Sequence, residues 1–180
     1  MKEFGQYEGG TAMCRHVRQK KGLLAVIGVG NSLRGDDGIG PWLVEHLSRS
    51  EMENVCAFDL GCYTSYASDL IAAHESSIII DAVLVWETGG DGPIVAAFAL
   101  ADLKSLPQQI KSTHGFSWLD QVRLAEAGQT NKKIIFFGVP VHDEVWNEGL
   151  SAAMKKRLPR LQSDLQRLIA ETRNEMSIYA

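Results

Sequence analysis

The sequence predicts an α/β fold: a three-layer sandwich in which a mostly parallel five-stranded sheet, with one antiparallel edge strand, carries helices on both faces. Three observations predict it. From Lys21 onward apolar runs alternate with segments of helical periodicity, the pattern of successive βαβ units. The runs LLAVIGV and IIIDAVLV are apolar on both sides of the pleat, as strands covered on both faces are. The 180 residues, 45% hydrophobic and 22% charged, have the size and composition of one domain with a full core.

Residues 1–21 are mixed and polar and are expected to be a flexible extension ahead of a single domain over 22–180. They contain no apolar core followed by a small-residue cleavage site, so an ordinary secretory signal is not expected. Strands are predicted at 23–29, 55–58, 77–85, 94–100 and 133–139. The fourth follows the third across ETGGDGP, turn chemistry too short for a helical crossover, which makes it antiparallel at an edge. Helices fill the gaps. The first, 41–49, has Pro41 in its first turn and Ile39, Leu43, Val44 and Leu47 on one face; the second is 65–73. The third, 116–127, stops at Gly128, and in the last, 149–175, Pro159 is expected to start a new turn or a kink.

A net charge of -4 supplies no basic field for a polyphosphate, so nucleic acid is not an expected partner. No run reaches the roughly 18 apolar residues of a membrane span, so no membrane association is expected. Cys14, Cys56 and Cys62, odd in number and in no paired spacing, suit reduced thiols in a cytoplasm.

The chemistry concentrates after the first strand, in GVGNSLRGDDGIG. Ligands in α/β folds bind outside the carboxyl ends of strands, and this end presents Asn31, Asp36 and Asp37 among glycines. Asp59 ends the second strand and Asp81 lies inside the third. A carboxylate among isoleucines and valines is costly unless paired, hydrogen-bonded or bound to a cation. A buried acid satisfied by backbone amides and a hydroxyl is the plain alternative. His114, in KSTHGF, returns to the same edge of the sheet and could complete a site. Two carboxylates and an imidazole with open positions suit Zn²⁺, Ni²⁺ or Co²⁺. Of the acid pair, Asp37 takes the inward role, while Asp36 caps a helix or braces the loop.

The opening motif, DLG at 59–61, IIIDAV around Asp81, THG at His114, IIFFGVPV and WNEGLS closely resemble the hydrogenase maturation endopeptidases. These trim the C-terminal extension of the nickel-iron hydrogenase large subunit. The resemblance covers about residues 23–168 with the elements in order. It implies a mixed five-stranded sheet and three metal-binding residues, which correspond to Asp37, Asp81 and His114. It further implies that the nickel arrives in the substrate precursor and that cleavage reports a loaded centre; other divalent metals could substitute. The precursor is then the protein partner. No GxSxG elbow, HExxH helix or cysteine-histidine pair is present, so a metal that polarises the scissile carbonyl or activates water is expected, with Asp36 or Asp59 as base.

The family more often has Asp-Gly-Gly where this chain has Asp59, Leu60, Gly61 and Cys62. Cys62 is expected to pack as a small buried residue, with a soft ligand or redox sensor as the functional alternative. His142 could touch substrate or be a hydrogen-bonded loop residue, and His46 and His74 are expected on helix surfaces. Trp42, Trp86, Trp118 and Trp146 read as core or rim, with Trp42 and Trp86 available to a peptide groove. Two other functions compete. In a Rossmann-like nucleotide site Leu33 would occupy the place of the third glycine, and the next strand's acid comes about thirty residues on where the fingerprint expects about twenty. A nickel-binding maturation chaperone would use the same ligands without cutting.

Overall fold

The computed structural model describes residues 24–48, 54–84, 93–99, 132–142 and 147–178. The expected extension over 1–21, His114, the expected helix over 116–127, and Trp86, Trp118 and Trp146 lie outside them. The strands are β1 (Leu24–Val29), β2 (Val55–Gly61), β3 (Ser76–Leu84), β4 (Ile94–Ala99) and β5 (Lys133–Val141). The helices are α1 (Ile39–Ser48), α2 (Ala67–Ala73) and α3 (Ala152–Ile178), with 3-10 turns at Gly35–Gly38 and Thr64–Tyr66. The strand order is β2-β1-β3-β5-β4. β1 runs parallel to β2 and β3, and β3 to β5, while β4 is antiparallel to β5.

Strand alternation builds a core on each face. Leu24 and Val26 of β1, Ile78 and Ile80 of β3, and Ile135, Phe137 and Val139 of β5 pack with α1 and α3. Ala25, Ile27, Val29, Ile79, Val83, Ile134 and Phe136 face the other way, toward Ala67 and Ile71 of α2. Each large side chain so buried contributes about 1.5–3 kcal/mol. From β1 the chain goes through α1 to β2 on one side, then through α2 to β3 on the other. The direction of winding therefore reverses between β1 and β3, the position at which open α/β sheets bind ligands, outside the strands' carboxyl ends.

Boundaries differ from expectation for local reasons. β2 runs on to Gly61 because the register shifts between Gly28 and Val29, and the Gly30 N–H donates to the Gly61 carbonyl at 3.0 Å. Asp59 thus lies within β2, opposite Gly28, rather than at its end. α1 begins at Ile39 because the preceding 3-10 turn runs into it. α3 begins at Ala152, after Gly149 with its left-handed φ of +80°. Pro159 interrupts nothing in the assigned span of α3. Cys56, buried in β2, is disulfide-bonded, so the expectation of three reduced thiols does not hold. Among the described residues no helix is long and apolar enough to cross a membrane.

Candidate functional site

The loop that leaves β1 folds back on itself. The Asn31 side chain accepts the Leu33 N–H at 3.0 Å, and the Arg34 N–H donates to the Asn31 carbonyl at 2.9 Å. The Asp37 N–H then donates to the Arg34 carbonyl at 3.2 Å, closing the 3-10 turn. This brings the Asp37 carboxylate home: Oδ2 accepts the Asn31 N–H at 2.9 Å, and the residue is 2% exposed. The turn leads into α1, whose positive N-terminal end favours carboxylates in this position.

Glycines allow the fold-back. A Cβ on Gly30 would lie 2.0 Å from the Asp37 carbonyl oxygen, and one on Gly38 2.7 Å from Ser32 Cα. Gly40 sits where a Cβ would meet Val29 O at 2.2 Å and Ile80 O at 2.7 Å. The start of α1 therefore rests on the end of β1 and on the middle of β3, across the reversal point. Asp81 follows Ile80 directly, is 0% exposed and pairs with Gly138 of β5. Its phase in β3, shared with Ile79 and Val83, directs it to the α2 face. Asp37, in the turn that leaves β1, and Asp81, inside the neighbouring β3 three residues before its end, are thus both buried. Each buried carboxylate carries a desolvation cost that a cation offsets. An all-oxygen pair completed by a nitrogen donor fits a divalent first-row metal. His114, the expected nitrogen donor, is outside the described residues. Within the described residues no group of three or more His, Cys, Asp or Glu forms a metal cluster.

The other acids divide. Asp59 is exposed, and its Oδ1 accepts the Gly61 N–H at 2.8 Å. Asp36 is half-buried and turned away from Asp37: its Oδ1 accepts the Ser151 N–H at 2.7 Å and its Oδ2 the Ser151 hydroxyl at 2.8 Å. It braces the start of α3 rather than α1, the helix that follows it. Ser151, a serine ahead of Ala-Ala-Met, carries the sequence signal of a helix N-cap. Its hydroxyl accepts the Met154 N–H at 3.0 Å.

Cys62 is a free, exposed thiol, not a small buried residue, because the extended β2 carries it past the end of the sheet. Its sulfur lies 4.0 Å from the Gly30 carbonyl oxygen. Local burial pushes its pKa up, Asp37 and Asp59 add to this, and Arg34 opposes them. His142, just past β5, is exposed. His46 is half-buried and stacked on Trp42 with centroids 3.5 Å apart, and Trp42 packs against the core. His74 is the correction among the histidines: it caps the end of α2 and is 2% exposed rather than on a surface.

Residues 41–167 match the model of the hydrogenase maturation protease family, HycI. No curated protein matches the chain in sequence. Among solved structures, the Escherichia coli hydrogenase maturating endopeptidase HybD is similar, with 21% identity and a TM-score of 0.69, over 83% of this chain and 93% of that one. A nickel-iron hydrogenase maturation protease HycI from Thermococcus kodakarensis KOD1 has 25% identity and a TM-score of 0.59, over 86% and 94%. An endopeptidase from Escherichia coli, solved in solution, has 19% identity and a TM-score of 0.70, over 83% and 93%.

Proposed function

We propose, because the chain belongs to the hydrogenase maturation protease family, that it removes the C-terminal extension of a nickel-iron hydrogenase large-subunit precursor once nickel has been inserted. Its activity is that of an endopeptidase, a peptide-bond hydrolase. The observation that supports the finer reading is the burial of Asp37, in the turn after β1, and of Asp81, inside the adjacent β3. With His114 they make a set of oxygen and nitrogen donors with open positions, suited to a metal whose remaining ligands belong to the substrate. Nickel is on this reading part of the substrate, and an unloaded precursor has nothing for the three residues to grip.

Asp59 is the candidate base. Its Oδ1 is held by the Gly61 N–H, which fixes the carboxylate, and its exposure lets Oδ2 take a proton from water. Asp37, Asp81 and His114 would hold the nickel of the precursor, which would supply polarisation of the scissile carbonyl or of a water. The protein partner is the precursor, the compartment a cytoplasm, and other divalent metals could replace nickel in recognition.

Purified chain mixed with nickel-loaded precursor is expected to shorten it at the C-terminus, read by intact mass, and to leave nickel-free precursor whole. Asp37→Ala and Asp81→Ala are expected to abolish the nickel-dependent cut. Asp59→Asn is expected to lower kcat by about 10²- to 10⁴-fold. Full-length loaded precursor after prolonged incubation with the unmodified chain would favour a nickel-binding chaperone instead.

A further inference from the structure

The loop that carries Asp37 is fastened to the beginning of the last helix, more than a hundred residues away in sequence. The Gly35 N–H donates to the Asn147 carbonyl at 2.7 Å, and the Gly149 N–H to the Ser32 carbonyl at 3.3 Å. Arg34 and Asn147 form a parallel β-bridge. The strongest link is a pair of hydrogen bonds to a carboxylate. Both oxygens of Asp36 accept from Ser151, at 2.7 Å from the N–H and 2.8 Å from the hydroxyl, and hydrogen bonds to a carboxylate are about twice as strong as neutral ones. Ser151 is immobile in turn, since its hydroxyl accepts the Met154 N–H at 3.0 Å inside the first turn of α3.

Successive side chains on a 3-10 turn are about 120° apart, three residues completing the circle. Holding Asp36 toward α3 therefore sets the rotation of the whole turn, and with it the direction of Asp37. We propose that Asp36 is a positioning residue: clamped by Ser151, it fixes the 3-10 turn so that Asp37 points at the nickel brought by the substrate. The clamp rests on the functional reading above for its purpose, though not for its existence. It also takes Asp36 out of contention as the base, because both carboxylate oxygens are engaged away from the crevice. Proton transfer then falls to Asp59.

Replacing Asp36 by Asn separates these roles. The amide oxygen still accepts the Ser151 N–H and the amide nitrogen can donate to the Ser151 hydroxyl, whereas no proton can be taken up. With the full chain and nickel-loaded precursor, Asp36→Ala is expected to raise KM by about tenfold to 100-fold, the usual loss when a residue that orients a metal ligand is removed. Its kcat should stay within about threefold, the mark of lost binding rather than lost chemistry. Asp36→Asn should restore KM to within about threefold of the unmodified chain. Ser151→Ala, which retains the backbone N–H, should fall between, and it keeps the question open to measurement should Asp36→Ala fail to fold.

Equal losses of kcat in the Ala and Asn variants would overturn the proposal in favour of a proton carrier. A lowered kcat with unchanged KM would reduce the clamp to a matter of how many molecules are folded. Hydrogen exchange at the Asp37 and Gly38 amides gives a reading that needs no substrate: faster in Asp36→Ala and Ser151→Ala, near normal in Asp36→Asn. Unchanged exchange in all three variants would also overturn it. An unmodified chain that leaves the precursor uncut refutes the functional reading alone, since exchange still judges the clamp.

Discussion

Cys62 shows how one residue's environment decides its chemistry. The thiol stands at the crevice, within the fields of Asp37 and Asp59, and its pKa is raised first by local burial and then by those two carboxylates. The thiolate is the form that binds metal or attacks carbon, and these surroundings disfavour it. Cys62→Ser is accordingly expected to process loaded precursor with kcat/KM within about threefold of the unmodified chain. A loss of more than about tenfold in that measurement would give the sulfur a place in the reaction. The inward turn of Asp37 was legible from sequence because paired acids among glycines after an apolar strand belong to one short motif. The burial of Asp81 was legible because it lies within a run of isoleucines and valines. The bond from Asp36 to Ser151 was not, since it joins residues 115 apart and only the fold brings them together.

At the scale of elements, the glycines of the loop bring α1 down onto the strand ends. Gly28 and Gly40 face each other, with a Cβ on Gly28 reaching 2.5 Å from Gly40 O. The obstacles around Gly40 are backbone oxygens of two adjacent strands, which cannot rotate aside as a side chain would. Gly40→Ala is expected to destabilise by about 3 kcal/mol, the upper part of the usual range for overpacking, because α1 must lift from both β1 and β3. Urea unfolding checks this, and a change within about 0.5 kcal/mol would show that the helix can shift without strain. Element type was readable throughout the described chain, because two-sided apolar runs and a single apolar helix face differ in period. Element ends were less so. The bulge that lengthens β2 depends on pairing with Gly30, and the start of α3 depends on a left-handed Gly149 followed by a capping serine. Pro159 suggested a break, yet α3 tolerates it in a helix held down by Met154, Leu161, Leu165 and Ile169 on one face of the sheet.

Across the whole molecule, the crevice lies at the carboxyl ends of the strands, and a second polar assembly ties the opposite end. Lys132, just before β5, donates through Nζ to the carbonyls of Ile71 at 3.1 Å and His74 at 2.7 Å, and also to that of Ala72. The ammonium thereby closes the C-terminus of α2, where cations are favoured. His74 is buried beside it, its Nδ1 2.7 Å from the Leu70 carbonyl oxygen and its ring edge-on to Phe58. Burial lowers the His74 pKa, the Leu70 carbonyl partly offsets this, and the Lys132 charge lowers it further. Glu75, which pulls the Lys132 pKa upward, is the neighbouring acid. The unfolded chain therefore takes up a proton at this histidine more readily than the folded one. Stability from neutral His74 is full above the ordinary value of 6.5 and falls as pH drops below it, toward the lower folded value. One proton limits the slope to about 1.4 kcal/mol per pH unit. Urea midpoints at about pH 7.5 and 5.5, a window above most carboxylate titrations, should fall more for the unmodified chain than for His74→Gln. An equal fall in both would assign the acid sensitivity to another group.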